Sequence, residues 1–212
     1  MKLYGYFRSS AAYRVRIALN LKKIEVQHIP VHLIKDGGQQ KLPVYLQRNP
    51  QGLVPAIELA DGTMITQSIA IIEYLESVYR DHLLIPNDPV LAAKIRAAAL
   101  IIGCEIHPLN NLRVLNYLKD NLSHSKETVD GWMRHWMLNG GLDAIEALLP
   151  GTDFCFGSEP TMADCFLIPQ LYNAKRFNIS YDDLPKIKRA EKNCEGLGAF
   201  QLAHPSLQMD AE

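Results

Sequence analysis

The chain has 212 residues, is 48% hydrophobic, and carries 22 basic and 23 acidic side chains, which gives a formal net charge of −1. This size supports one or two compact cores and often two domains. No run of Lys or Arg suggests a nucleic acid or an anionic membrane as partner, and the longest apolar stretches, around residues 97–102, are far shorter than the roughly 20 residues that span a bilayer.

The cysteines predict neither a metal site nor a disulfide framework. None belongs to a Cys-x-x-Cys pair, and no His or carboxylate completes a zinc spacing. Free cysteines fit a reducing cytosol. The first residues contain one early Lys and then a short mixed run that ends at Arg8, and they do not resemble a signal peptide. We therefore expect a cytoplasmic protein with no bound metal.

The first 82 residues predict a thioredoxin-like α/β domain. The patterns indicate a strand over 2–7, a helix over 12–22, a strand over 25–31, a hairpin around Asp61-Gly62 and a helix over 69–79. Parallel pairing of the first two strands would make a right-handed strand–helix–strand unit. Ser68 is a candidate N-cap of the second helix.

A Pro- and Asn-containing segment over 83–89 reads as an interdomain linker. The rest of the chain, residues 90–212, has helical spacing and predicts an all-α domain. Within it, residues 126–148 carry apolar side chains at helical spacing. Thr161 and Asp164 resemble a capping box before another apolar run.

Four segments, in this order and spacing, resemble the zeta-class glutathione transferases. Ser9–Leu19 is similar to the class signature Ser-Ser-Cys-x-Trp-Arg-Val-Arg-Ile-Ala-Leu, and the other three are Leu33–Gln40, Gln67–Glu76 and His107–Leu115. Ala11 and Tyr13 stand where the class usually has Cys and Trp. The resemblance covers essentially the whole chain. It implies the glutathione transferase fold, an α/β thioredoxin-like N-terminal domain followed by an all-α C-terminal domain, with glutathione as cofactor.

The resemblance implies that Ser9 activates the glutathione thiol and that Ser10 assists it. A helix N-terminus offers unpaired N–H groups and a positive partial charge, and only the thiolate is a good nucleophile. The alternative is that Ser9 or Ser10 simply caps the helix. Tyr6 lies near the position of the tyrosine activator in other classes, but the strand pattern indicates a packing residue.

Further glutathione contacts are implied by the same resemblance. Gln67 and Ser68 would hold the γ-glutamyl carboxylate at a helix N-terminus, and a cis turn at Val54-Pro55 would pair with the cysteinyl backbone. The remaining implied cofactor contacts are Gln40 at the glycyl end and the polar residues His107 and Asn111. Each of the serines and glutamines has a simpler alternative as a helix cap or a solvated loop residue.

Three arginines are candidate substrate ligands. Arg is suited to bidentate recognition of carboxylates, and the resemblance implies that Arg8, Arg113 and Arg176 bind a maleyl-type dicarboxylate. The alternative is a solvated surface charge for each, and Arg176 could also complement a helix dipole.

The implied activity is glutathione-dependent isomerisation of maleylacetoacetate to fumarylacetoacetate, a step of tyrosine and phenylalanine catabolism, by thiolate addition, bond rotation and elimination. Alternatives are maleylpyruvate isomerisation, glutathione transfer or haloacid dehalogenation on the same scaffold. A more distant alternative is a non-catalytic interaction module. The resemblance also implies a homodimer, and two-fold dimers are the commonest soluble oligomers.

Overall fold

The computed structural model describes all residues 1–212, which form two compact units. The first unit comprises residues 1–84 and 195–212, and the second comprises residues 85–194. The sequence had placed residues 195–212 in the all-α domain, and the structure differs there. Asn20 and Arg16 explain the difference, because their side chains donate to the backbone oxygens of Ala199 (2.9 Å) and Ala203 (3.0 Å).

The first unit contains a four-stranded sheet in the order β2-β1-β3-β4. Its strands are β1 (Lys2–Gly5), β2 (Gln27–Pro30), β3 (Ala56–Glu58) and β4 (Met64–Thr66). β1 pairs with β2 in parallel, and the other two pairings are antiparallel. Both the predicted parallel unit and the predicted hairpin are therefore confirmed, with the Asp61 carboxylate accepting the Thr63 N–H at 2.9 Å in the hairpin turn.

The helices of the first unit are α1 (Ser10–Leu21), α2 (Pro43–Leu46), α3 (Ser68–Val78) and α10 (Gly198–Ala203). α1 is almost entirely buried, including its two arginines, Arg14 and Arg16. At its C-terminal end, Lys22 Nζ lies 2.7 Å from a Glu76 carboxylate oxygen of α3, and neither side chain is more than 7% exposed. This buried ion pair links α1 to α3, the two helices that begin at the candidate glutathione residues.

The second unit is helical. It contains α4 (Pro89–Leu100), α5 (Leu112–Asn116), α6 (Lys126–Met137), α7 (Asp143–Leu148), α8 (Met162–Arg176) and α9 (Pro185–Glu195). The helical spacing over 126–148 does not correspond to one helix, because Asn139 (ψ 114°) and Gly140 (φ 70°) leave the helical region between α6 and α7. None of the helices combines the length and apolar composition that crossing a membrane requires.

The predicted capping box at the start of α8 is confirmed. The Asp164 carboxylate is fully buried and accepts the Thr161 N–H (2.8 Å), the Thr161 hydroxyl (2.9 Å) and the Cys155 N–H (2.9 Å). Burial raises the pKa of the Asp164 carboxyl, while the bonds from Cys155 and Thr161 act in the opposite direction. One carboxylate thus fixes the α8 N-terminus and the segment that precedes it.

We predict that Thr161→Ala lowers the free energy of unfolding by about 1 kcal/mol, up to about 2, since it removes the hydroxyl of the cap. Asp164→Ala should cost more, because it leaves two buried N–H donors without an acceptor. Urea unfolding followed by circular dichroism measures both. Thr161→Ser keeps the hydroxyl and is the matched control, so equal losses for Thr161→Ala and Thr161→Ser would contradict the capping role.

Candidate functional site

The N-terminus of α1 presents both predicted serines. Ser9 is the N-cap, and its Oγ accepts the Ala12 N–H at 3.2 Å. Ser9 therefore does cap the helix, which does not prevent a second role. This bond uses a lone pair of the oxygen, and the hydroxyl hydrogen of Ser9 has no acceptor within the chain. Ser9 is half-buried, Ser10 is buried, and no acidic side chain lies in the first turn to offset the helix dipole.

The N-terminus of α3 differs from the sequence prediction. Gln67 occupies the N-cap position, with no side-chain capping bond, and Ser68 is the first helical residue. Ser68 is therefore not the N-cap. Gln67 has φ 70° and ψ 120°, an uncommon backbone conformation for a residue other than glycine and one that clusters at functional sites.

Arg14 connects the two helix N-termini, and the sequence analysis did not assign it a role. Its guanidinium Nη1 donates to Ser68 Oγ at 3.2 Å, and the residue is 2% exposed. The occurrence of Arg14 and Arg16 among the apolar residues of this helix is the signal that could have identified it, because arginine is almost never fully buried unless it is paired. Arg14 holds the first turn of α3 against α1.

The segment before β3 brings three further predicted residues together. The Val54–Pro55 peptide is cis, as the resemblance implied. Gln67 Nε2 donates to the Gln51 side chain at 2.5 Å. A Cβ on Gly52 would lie 3.2 Å from the Gln40 backbone oxygen, so residues 51–52 lie between the Gln40 loop and the α3 N-terminus.

The Gln40 carboxamide is the clearest sign of an unmet polar contact in this region. The residue is 8% exposed, and its Nε2 donates to the Leu33 carbonyl at 3.4 Å, a long bond. Its Oε1 is buried and has no hydrogen-bond partner in the chain. Leaving a buried acceptor unpaired costs about 1–3 kcal/mol, so this oxygen fits a donor supplied by a ligand.

Arg8 and Tyr6 lie immediately before the Ser-Ser turn. Tyr6 is buried, and its hydroxyl accepts from Arg8 Nη2 at 2.9 Å. The Arg8 guanidinium also lies 5.1 Å from the centre of the Phe7 ring. These contacts agree with the interpretation of Tyr6 as a packing residue. They also fix the guanidinium of Arg8, the residue that precedes Ser9 in the sequence.

The other predicted residues belong to the second unit. Asn111 is the N-cap of α5 and accepts the Arg113 N–H at 3.1 Å, so these two share one turn. Arg113 is exposed, and its guanidinium makes no hydrogen bond within the chain. Arg176 is also exposed, at the C-terminal end of α8, where it donates to Asn173 at 3.3 Å; this position fits the helix-dipole alternative as well as a ligand role.

The turn that carries His107 and Asn111 also contains a residue that the sequence analysis did not select. Both side-chain polar atoms of Asn110 are buried without a partner. Trp132 Nε1 donates to the Leu109 carbonyl at 2.9 Å and thereby fixes this turn to α6. The Asn110-Asn111 pair in the fourth motif could have drawn attention to Asn110. The burial of the Asn110 side-chain atoms, however, depends on the tertiary fold and cannot be seen in the sequence.

The chain's buried thiols are unsuited to act as the nucleophile in place of glutathione. Three of the four cysteines, Cys155, Cys165 and Cys194, are buried. Burial, with the Asp164 charge adding to it, raises the pKa of the Cys155 and Cys194 thiols. A buried thiol with a raised pKa is a poor nucleophile. Cys104 is exposed and belongs to the second unit.

Comparison with known proteins agrees with this arrangement. The family models for the glutathione S-transferase N-terminal and C-terminal domains match residues 8–78 and 137–189. The chain is 47% identical to the maleylacetoacetate isomerase of Pseudomonas aeruginosa over 210 residues, which is 99% of this chain and 98% of that one.

Two solved structures match over the full length of both chains. A maleylpyruvate isomerase, described as a bacterial glutathione S-transferase of the zeta class, has a TM-score of 0.95 at 39% identity. The maleylacetoacetate isomerase of Methylobacterium extorquens, with bound malonate and glutathione, has a TM-score of 0.94 at 38% identity. From the fold, the paired helix N-termini and these matches, the chain belongs to the glutathione S-transferase family.

Proposed function

We propose that the protein binds glutathione and uses it to isomerise maleylacetoacetate to fumarylacetoacetate. The observation that carries the proposal is the pair of helix N-termini linked by Arg14 and Ser68. Neither first turn contains an acidic side chain, and the Ser9 hydroxyl keeps a hydrogen to donate. Maleylacetoacetate isomerases among the relatives match this chain along nearly its whole length.

The residues of the first unit fit the functional groups of glutathione. The α3 N-terminus, with Gln67 and Ser68, suits the γ-glutamyl carboxylate, since helix N-termini bind anions. The backbone of Val54, at the cis turn before β3, suits the extended cysteinyl backbone. The unpaired, buried Gln40 oxygen suits an N–H donor at the glycyl end. In the second unit, His107 and Asn111 are the remaining proposed contacts.

Bound glutathione would supply a thiolate that adds reversibly to the cis double bond, so that the bond can rotate before the thiolate leaves. The protein's part is electrostatic. The Ser9 hydroxyl donates to the sulfur, Ser10 assists it, and the positive end of the α1 dipole favours the charged form of the thiol. Preorganised donors of this kind usually make a large contribution to catalysis.

Three cationic side chains are proposed to bind the two carboxylates of the substrate. Arg8 is oriented by the Tyr6 hydroxyl, and Arg113 offers a guanidinium without an internal hydrogen bond. Arg176 is the third, exposed at the end of α8. Guanidinium groups suit this role because their N–H donors match a carboxylate in pairs.

Maleylpyruvate is the second candidate substrate, because a maleylpyruvate isomerase matches the whole chain with a TM-score of 0.95. The deciding experiment assays both maleyl substrates with and without glutathione and analyses the products. The proposal predicts a trans product, an absolute requirement for glutathione and an unchanged total amount of glutathione. Consumption of glutathione would identify a transferase or dehalogenase, and failure to bind it would favour a non-catalytic module.

We also propose an oligomeric state and a cellular location for the protein. The family resemblance supports a homodimer, which light scattering would test. The four free cysteines support a cytoplasmic location, which fractionation of the native host would test.

We predict that Ser9→Ala raises the pKa of the bound glutathione thiol and slows isomerisation on the order of 10²–10³-fold, the usual loss for one donor to a developing or stabilised anion. Glutathione binding should change little, because the hydroxyl is proposed to bond only to the thiolate. The ultraviolet absorbance of the thiolate, titrated against pH in the complex, measures the effect.

The control for this prediction is Ser10→Ala, since Ser10 neighbours Ser9 but does not cap α1. Because Ser9→Ala also removes a cap, thermal unfolding of each variant should accompany the titration. A wild-type titration curve for Ser9→Ala together with a shifted curve for Ser10→Ala would transfer the activating role to Ser10.

We predict that alanine at Arg8, Arg113 or Arg176 lowers kcat/KM for the maleyl substrate about tenfold or more. The reason is the loss of a charge-assisted hydrogen bond of about 1.5–3 kcal/mol. Conjugation of glutathione to a neutral electrophile should change little. Substitution by lysine should restore only part of the activity, since lysine keeps the charge but not the planar fork.

Arg134→Ala is a matched control for the arginine series, because Arg134 is an exposed arginine in the last turn of α6. It should leave both reactions unchanged. Wild-type isomerisation by all three site variants would identify their arginines as surface charges and would remove the main support for a dicarboxylate substrate.

A further inference from the structure

The last residues of the chain, 205–212, which we call the C-terminal tail, are anchored on the first unit by two acidic side chains. The Asp210 carboxylate accepts the Phe7 N–H at 2.9 Å, two residues before Ser9. The Glu212 carboxylate forms an ion pair with Lys35 and lies 3.5 Å from His32 Nε2. The tail therefore contacts the polypeptide on both sides of the proposed glutathione site: the β1–α1 turn and the loop that leads to Gln40.

His32 is the central residue of that loop. It is 9% exposed, and its Nδ1 accepts the N–H groups of Ile34 (3.1 Å) and Lys35 (2.9 Å). Because Nδ1 acts as an acceptor, the ring hydrogen of the neutral imidazole resides on Nε2. Nε2 lies 3.5 Å from a Glu212 carboxylate oxygen, and it has no hydrogen-bond partner within the chain. The ring thus uses one nitrogen to shape the loop and the other to face the tail.

The loop is closed on itself between His32 and Gln39. The His32 N–H donates to the Gln39 side chain at 2.9 Å, and the Gln39 N–H donates to the His32 carbonyl at 2.8 Å. Gln40 follows directly. Its carboxamide is packed closely against the loop, since a Cβ on Gly38 would lie 2.7 Å from Gln40 Nε2. A displacement of His32 is therefore transmitted to Gln40.

We infer that the C-terminal tail positions the glutathione site, with Glu212 acting through His32 to hold the loop that orients Gln40. His32 and Glu212 are positioning residues in this scheme, since neither is proposed to touch glutathione. The second anchor, Asp210 on the Phe7 N–H, fixes the tail so that Glu212 stays within reach of the loop. This inference rests on the proposal that glutathione binds at Gln40.

Two variants separate the tail contact from the shape of the loop. His32→Asn keeps a side-chain acceptor for the N–H two residues on, as in an Asx turn, but removes the donor that faces Glu212. Glu212→Gln removes the charge that pairs with Lys35 and faces the His32 ring. Because the pairs are exposed on one side, we expect each variant to raise the glutathione Kd only about two- to fivefold.

The expected pattern is a higher Kd and a higher KM for glutathione, with kcat at saturating glutathione unchanged. The double variant should bind no more weakly than Glu212→Gln alone, because the two residues act in one chain of contacts. Hydrogen exchange of the amides over residues 33–41, in the absence of glutathione, should be faster in both variants. Glu25→Gln, an exposed glutamate elsewhere in the first unit, is the matched control and should behave like the wild type.

Calorimetric titration of glutathione into these proteins decides the matter. A wild-type Kd in both variants, with binding by the wild-type protein, would overturn the positioning role of the tail while leaving the proposed function intact. Additive effects in the double variant would also overturn it, since they would mean that Glu212 does not act through His32. Failure of the wild-type protein to bind glutathione would overturn the proposed function and the inference together.

Discussion

The site in the first unit depends on how α1 and α3 are fixed to each other. Near their N-termini, the Arg14 guanidinium donates to Ser68, and at their C-terminal ends Lys22 pairs with Glu76. Both contacts are buried, so water does not compete with them. Removing one partner of a buried ion pair leaves an uncompensated charge and is strongly destabilising. The two helix N-termini that are proposed to hold the thiolate and the γ-glutamyl carboxylate therefore keep a constant relative position.

This arrangement also explains why the nucleophile is expected to come from glutathione rather than from the protein. Burial raises the pKa of the Cys155 and Cys194 thiols, which makes them poor nucleophiles, and Ala11 stands where the zeta class usually has a cysteine. The first unit instead offers donors and helix dipoles, which are proposed to stabilise the thiolate of bound glutathione. A site of this kind is suited to the thiolate of a bound peptide cofactor such as glutathione.

Local patterns were sufficient to predict the parts of the structure whose causes are local. The first strand, the Asp61-Gly62 turn and the Thr161 capping box depend on neighbours in sequence, and the structure contains all three, with the strand ending at Gly5 rather than at residue 7. The positive φ of Gln67, the bond from Arg14 to Ser68 and the association of residues 195–212 with the first unit depend on distant contacts. The hydrophobic periodicity of the sequence carries no information about such contacts. The break between α6 and α7 at Asn139 and Gly140 is a further feature that the helical spacing of residues 126–148 does not indicate.

The cap at Ser9 has a consequence for how this site can change. The oxygen that accepts the Ala12 N–H is the same oxygen whose hydrogen is proposed to face the sulfur, and the capping bond restricts the rotation of that hydroxyl. In the proposed mechanism, one oxygen atom thus both caps α1 and activates the thiol. An Asp at this position could still cap the helix but would have no hydrogen to donate to a thiolate, so the two tasks together restrict this position to a side chain with a hydroxyl, such as Ser or Thr.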